Sequence, residues 1–183
     1  MSRVAIFVDA ASLYRLPNRC QIGQIDYCAL FRQMAPGKEI LRSYFYDALP
    51  FLDPHPTTRD QARYNSKKGF LHQISMLPRV TIRLGETVCR VSDDGKRYFE
   101  QKRVDCHVST DLVRLSAKHL ITDAAILAGD SDFIPAIDAA REDGVVIHLF
   151  HGAQAKPCLL EACDERTLID DNFMTAIAMR KSA

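Results

Sequence analysis

Three short apolar runs constrain the fold of this chain more than any other feature: "VAIFV" (4–8), "AAILA" (124–128) and "VVIHLF" (145–150). The first is uninterrupted and too short for a helix, the pattern of a strand buried on both faces of a sheet; the second reads as another buried strand and the third as a strand. "EILRSYFYDA" (39–48) and "RVTIRLGETVCRV" (79–91) read as two more strands. The Asp-Gly of "SDDGKRYF" (92–99) predicts a tight antiparallel hairpin after the second of them. Helical patterns fill the intervals. Asp26 is placed to cap a helix carrying Tyr27, Leu30, Phe31 and Met34, which Pro36-Gly37 ends. A helix from Thr58 offers Tyr64, Phe70, Leu71 and Ile74 for burial, and residues 104–120 put Val104, Val108, Leu112 and Leu115 on one face. "DFIPAIDAAREDG" closes at Gly144, and further helices are expected near 157–162 and 170–180. Strands alternating with helices predict an α/β fold, a three-layer α/β/α sandwich around a mainly parallel sheet. No linker or repeat divides the 183 residues, so one domain over 1–183 is expected, with its core at about 3–170.

The six cysteines (Cys20, Cys28, Cys89, Cys106, Cys158, Cys163) are scattered without a CxxC pair. They read as reduced thiols, and a zinc site of cysteines with His107 lacks ligand spacing. Only five apolar residues precede Asp9, too few for a signal peptide or a membrane span, so a cytoplasmic protein is expected. The formal net charge of +1 conceals an asymmetry: residues 59–103 hold eleven Lys or Arg against five acids, and residues 104–172 hold five against thirteen. A basic stretch suits a polyanion and an acidic one suits cations.

"ILAGDSDF" (126–133) crowds Asp130 and Asp132 around one serine directly after an apolar strand. In open α/β sheets the site lies outside the carboxyl ends of the strands. Asp9 ends the first strand, Asp130 follows "AAILA" by one glycine, Asp132 begins the next helix, and Asp105 begins the helix at 104–120. Singly, each reads as a cap or turn residue. Together they point to one rim, where carboxylates about 4 Å apart need protons or cations between them. Oxygen-only ligands suit Mg²⁺ or Mn²⁺, ions that serve phosphodiester cleavage. Asp111, about 120° around the helix from Asp105, is a further candidate ligand. Asp47 closes the second strand and reads as structural. Ser12 is accessory, either bonded to the site or capping a helix.

Arg59, Arg63 and Lys67 fall on one helical stripe, with Lys68 beside it and Tyr64 interleaved. These residues are candidates to hold RNA phosphates and stack a base, against the plainer reading of a solvated face with Tyr64 in the core. Lys102 and Arg103, just before Asp105, are placed to meet phosphate or to neutralise the acids. No histidine base is required; His148 sits within a buried strand, and His107 points away from Asp105.

"VAIFVDAASLY", "QKRVDCHVSTDLVRL" and "DAAILAGDSDFIPAIDAAREDGVVIHLF", in that order over roughly residues 3–170, resemble the NYN domain, a branch of the PIN-like nucleases. The resemblance implies a PIN-like sheet and a metal-dependent ribonuclease using Mg²⁺ or Mn²⁺, with single-stranded RNA as the expected substrate. It maps the family's acids onto Asp9, Asp105, Asp130 and Asp132, with Asp111 in an accessory position. One departure stands out. The family commonly has asparagine three residues after the first aspartate, where this chain has Ser12, so weaker metal affinity, slower turnover or a changed substrate are the implied consequences. The rival reading is a catalytically weak or inactive RNA-binding or scaffold module of the same fold. A haloacid dehalogenase-type phosphatase needs a second aspartate two residues after the first, and Ala11 stands there. Neither GxGxxG nor GxxxxGK[ST] occurs. Phe51 and Leu52 suit either a homodimer contact or a loop folded onto its own chain.

Overall fold

In the computed structural model, residues 2–16 and 25–179 are described; Cys20, the loop before Asp26 and the far end of the expected C-terminal helix lie outside them. The first apolar run is strand β1 (Arg3–Asp9), followed by a short helix α1 (Ala10–Tyr14) and by α2 (Tyr27–Met34), whose first turn Asp26 caps. Strand β2 (Glu39–Ala48), helix α3 (Thr58–Ser75) and strand β3 (Val80–Val91) come next. Then follow β4 (Arg97–Lys102), α4 (Val104–Ala117) and β5 (Asp123–Leu127). A 3₁₀ turn (Ser131–Phe133) leads into α5 (Ile134–Glu142), and the chain ends with β6 (Val146–His151), α6 (Pro157–Glu161), β7 (Glu165–Leu168) and α7 (Asp171–Ala176).

The seven strands form one sheet in the order β4-β3-β2-β1-β5-β6-β7, antiparallel only between β3 and β4. The expected three-layer α/β/α sandwich around a mainly parallel sheet is what the chain forms. Alternate side chains of the central strands feed opposite layers, as the two-residue period of a strand requires. Phe7, Tyr44, Tyr46, Ile126 and Leu149 pack with Val108, Leu112 and Leu115 of α4 and Ile137 of α5. Ile6, Val8, Phe45 and Leu127 pack on the other side with Leu30 and Met34 of α2 and Leu71 and Ile74 of α3. Strand β7 had no signal in the sequence. Its four residues "ERTL" are mostly exposed at the sheet's edge, where charge protects an open edge rather than marking a buried one. Among the described residues no helix is long and apolar enough to cross a membrane.

Two features carry the sheet toward a site. Strand order reverses at β1: the chain builds β2 to β4 on one side, then returns to build β5 to β7 on the other. Strand β3 also changes partner midway. Val80–Gly85 pairs with β2, which stops at Ala48, while Glu86–Val91 pairs with β4. The β3–β4 hairpin therefore projects past the carboxyl ends of the parallel strands. The Thr87 hydroxyl donates to the Leu49 carbonyl (2.6 Å) and ties the hairpin to the loop after β2. That loop folds onto its own chain, with the Phe51 and Phe99 rings 5.8 Å apart.

At the partner change, a Cβ on Gly85 would lie 2.4 Å from the Lys102 carbonyl oxygen and 2.6 Å from Val104 Cγ2. Only glycine lets β4 return close enough for Arg103, in the left-handed region at φ 70°, to start α4 at the rim. Gly85→Ala is expected to cost about 1–3 kcal/mol through overpacking, lowering Tm by roughly 3–10 °C in thermal melts.

Candidate active site

Asp9 is the last residue of β1 and only 7% exposed. It caps α1, its Oδ1 accepting from the Ala11 amide (3.2 Å) and its Oδ2 from the Ser12 amide (3.0 Å) and hydroxyl (2.6 Å). The same hydroxyl accepts from the Gly129 amide (2.8 Å), so Ser12 clamps the end of β1 to the loop after β5. Burial pushes the Asp9 carboxyl above its ordinary pKa, against the Ser12 and Ala11 hydrogen bonds and the nearby Arg15 charge. Asp130 caps the 3₁₀ turn by accepting from the Asp132 amide (3.1 Å). Asp105 stands in the first turn of α4. Its carboxyl is also raised, first by desolvation and then by the charges of Asp9, Asp130 and Asp132. Four acids from three segments distant in sequence thus share one electrostatic neighbourhood.

The other buried acids are treated differently. Asp47 is 3% exposed and receives the Lys67 ammonium at 2.6 Å, the Tyr14 hydroxyl at 2.5 Å and the Ala48 amide at 2.7 Å. Asp111 is held by Arg83 (2.9 Å), Arg114 (2.8 Å) and the Tyr46 hydroxyl (3.2 Å). Asp123, at the opposite end of the sheet, pairs with Lys38 at 2.7 Å. Among the described residues, Asp9, Asp105, Asp130 and Asp132 form no ion pair. That separates acids that hold the fold from acids whose charge is left over.

A cleft of about 1130 Å³ opens beside them, with Asp9, Asp105 and Asp130 at one end. Tyr14 and Arg15 of α1 line it, as do Arg63, Ser66, Lys67 and Phe70 of α3. Phe51, Thr87, Phe99 and Gln101 form the wall raised by the hairpin.

Several expectations need correcting against this geometry. Asp111 is a structural ion-pair acid outside the cleft, because the 120° offset turns it toward Arg83 and Arg114. Asp132 is exposed and outside the lining, though its charge reaches Asp105. On α3 the cleft face is Arg63, Ser66, Lys67 and Phe70, spaced i, i+3, i+4, i+7; Arg59, Tyr64 and Lys68 fall off it. Lys67 reaches the cleft but with its charge held by Asp47. Lys102 pairs with Glu100 (2.6 Å) and Arg103 with Glu86 (2.6 Å), so neither neutralises the aspartates. His148 is satisfied by Thr167 (2.8 Å) and Glu165 (3.2 Å). The sequence reading missed Tyr14 and Arg15, although both follow Asp9 within two helical turns.

A family model described as the NYN domain matches residues 3–170. The chain belongs to the NYN domain family. The NYN domain is a PIN-like nuclease fold, generally that of ribonucleases. No curated protein matches the sequence significantly. Among solved structures, Burkholderia thailandensis nucleoside kinase in complex with inosine aligns at 10% identity over 83% of this chain, with a TM-score of 0.27. The alignment spans 53% of the kinase chain, and so weak a likeness carries no argument about function.

PIN-like nucleases typically use divalent metals, so the NYN domain's acids have to be tested against one. Among the described residues no three His, Cys, Asp or Glu side chains are grouped as a ready-made ligand cage, zinc included. Mg²⁺ and Mn²⁺ do not need one: Mg²⁺ keeps several waters and is held by one or two carboxylates together with substrate phosphate. An all-carboxylate donor set, with Asp9 and Asp105 raised in pKa and no ion-paired cation among the described residues, fits such an ion.

Because the native pKa of Asp105 is raised, its ionisation costs stability above that pKa, and the cost disappears once the pH falls below the ordinary carboxylate value. In EDTA at neutral pH, Asp105→Asn of this NYN domain is expected to raise Tm by about 1–2 °C. The gain should vanish when melts are repeated at acid pH. Lys67→Met strands the buried Asp47 charge and is expected to cost about 2–4 kcal/mol in urea unfolding, most of it recovered by adding Asp47→Asn.

Proposed function

We propose that this NYN domain is a divalent-metal-dependent ribonuclease acting on single-stranded RNA in the cytoplasm, the whole chain working as one unit. The observation that carries the reading is the convergence of Asp9, Asp105 and Asp130, from three separate segments, on one cleft at the reversal point of the sheet, a cleft that Arg15 and Arg63 also line. Asp9, Asp105 and Asp130 would hold Mg²⁺ or Mn²⁺, with Asp132 adding its charge from just outside the cleft lining. Bound there, such an ion supplies Lewis-acid stabilisation of the charge that develops on a phosphodiester. Ser12 and the amides of α1 fix the Asp9 carboxylate, so its oxygens need no reorganisation. Arg63, whose nearest acid Asp60 is 3.7 Å away, and Arg15 orient the substrate's phosphates along the cleft.

A second reading, an RNA-binding module with little or no turnover, draws on Ser12. Its hydroxyl is engaged by both Asp9 and Gly129, so it supplies no direct counterpart to the family's usual asparagine.

Labelled single-stranded RNA incubated with Mn²⁺, Mg²⁺ or EDTA separates the two. Divalent-dependent cleavage, reduced to background by Asp9→Asn and by Asp130→Asn, is the expected result. Cleavage that persists in EDTA rejects the mechanism, and tight binding without cleavage favours the module.

A further inference from the structure

The hairpin end of the cleft has a character that the acids do not explain. Phe99 is 53% exposed even with Phe51 packed against it, yet both rings line the same cleft as Asp9 and Asp105. The pair is built rather than incidental. The Arg97 guanidinium lies 5.8 Å over the Phe51 ring and pairs with Asp53 at 2.9 Å, binding the loop after β2 to strand β4. Thr87 fixes the same loop from the other strand of the hairpin. An aromatic surface held by two strands and a loop loses little freedom when a flat ligand lies on it.

We infer that Phe99, backed by Phe51, is a stacking subsite for an unpaired nucleobase of the strand whose phosphodiester lies at the acids. The inference rests on the nuclease reading and deepens it by naming what the substrate must present. A duplex keeps its base faces covered, so a ring inside this cleft can be met only by a base that is unstacked or single-stranded. The cleft joins this aromatic end to the acidic end without interruption, and Arg63 on the opposite wall supplies the charge that a backbone between them needs. Tyr64, the aromatic that sequence spacing offered for this task, is off the cleft face. Stacking is indifferent to base identity, so the subsite selects strand structure and not sequence.

Binding of the full chain to two fluorescein-labelled RNA strands of equal length, one with bases and one abasic, tests this by anisotropy in EDTA, where no cleavage is expected. Phe99→Ala should weaken binding of the base-bearing strand about 5- to 100-fold, Phe99→Trp should restore it, and wild type and Phe99→Ala should bind the abasic strand alike. Equal affinity of Phe99→Ala and wild type for the base-bearing strand overturns the subsite. So does an equal loss on both strands, which marks an effect on the fold or a surface for an apolar protein segment. A parallel Mn²⁺ cleavage assay on wild type separates the failures. Cleavage with no Phe99 effect removes the subsite alone, whereas neither binding nor cleavage removes both readings.

Discussion

The reversal of strand order at β1 is the constraint on which the remaining geometry depends. Right-handed crossovers place the connections of β1 to β3 on one face and those of β5 to β7 on the other. The chain leaving β1 and the chain leaving β5 therefore turn away from each other, and a crevice opens between two adjacent strands. Asp9 and Asp130 stand at its lips, and the Ser12 hydroxyl, bonded to both Asp9 and Gly129, keeps the lips in register. Gly85 then lets β4 return to the same rim and deliver Asp105 on the first turn of α4.

The protein handles its acids in two ways, and the contrast is informative. Asp47, Asp111 and Asp123 are each brought within 3 Å of a lysine or arginine, so burial is offset by pairing. The four rim acids have no such partner among the described residues; burial raises Asp9, and burial with the charges of the other three acids raises Asp105. A fold that could have neutralised them and did not carries a local cost. Such uncompensated charge is characteristic of sites that bind something of opposite sign.

Much of this was legible along the chain. The fold class followed from buried apolar runs alternating with amphipathic helices, because the periods of strand and helix are local properties. The rim position of Asp9, Asp105, Asp130 and Asp132 followed from their place at strand and helix ends. The role of Asp111 is not legible in the sequence, because a helical offset gives an angle but not the neighbour it meets, here Arg83 from β3. Spacing marks Lys67, Lys102 and Arg103 as cations but not their partners, Asp47, Glu100 and Glu86. Strand β7 was invisible because an edge strand of four mostly exposed residues lacks the apolar pattern that announces a central one.

The sequence by itself determined the layered sheet and the placement of Asp9, Asp105, Asp130 and Asp132 at strand and helix ends, since both depend on residues near one another in the chain. Only the tertiary structure decided which charges cancel, which face of α3 meets the cleft, and that Phe51 and Phe99 form its far wall. Those outcomes turn on contacts between segments separated by tens of residues, and side-chain type and spacing do not encode the partner across such a gap.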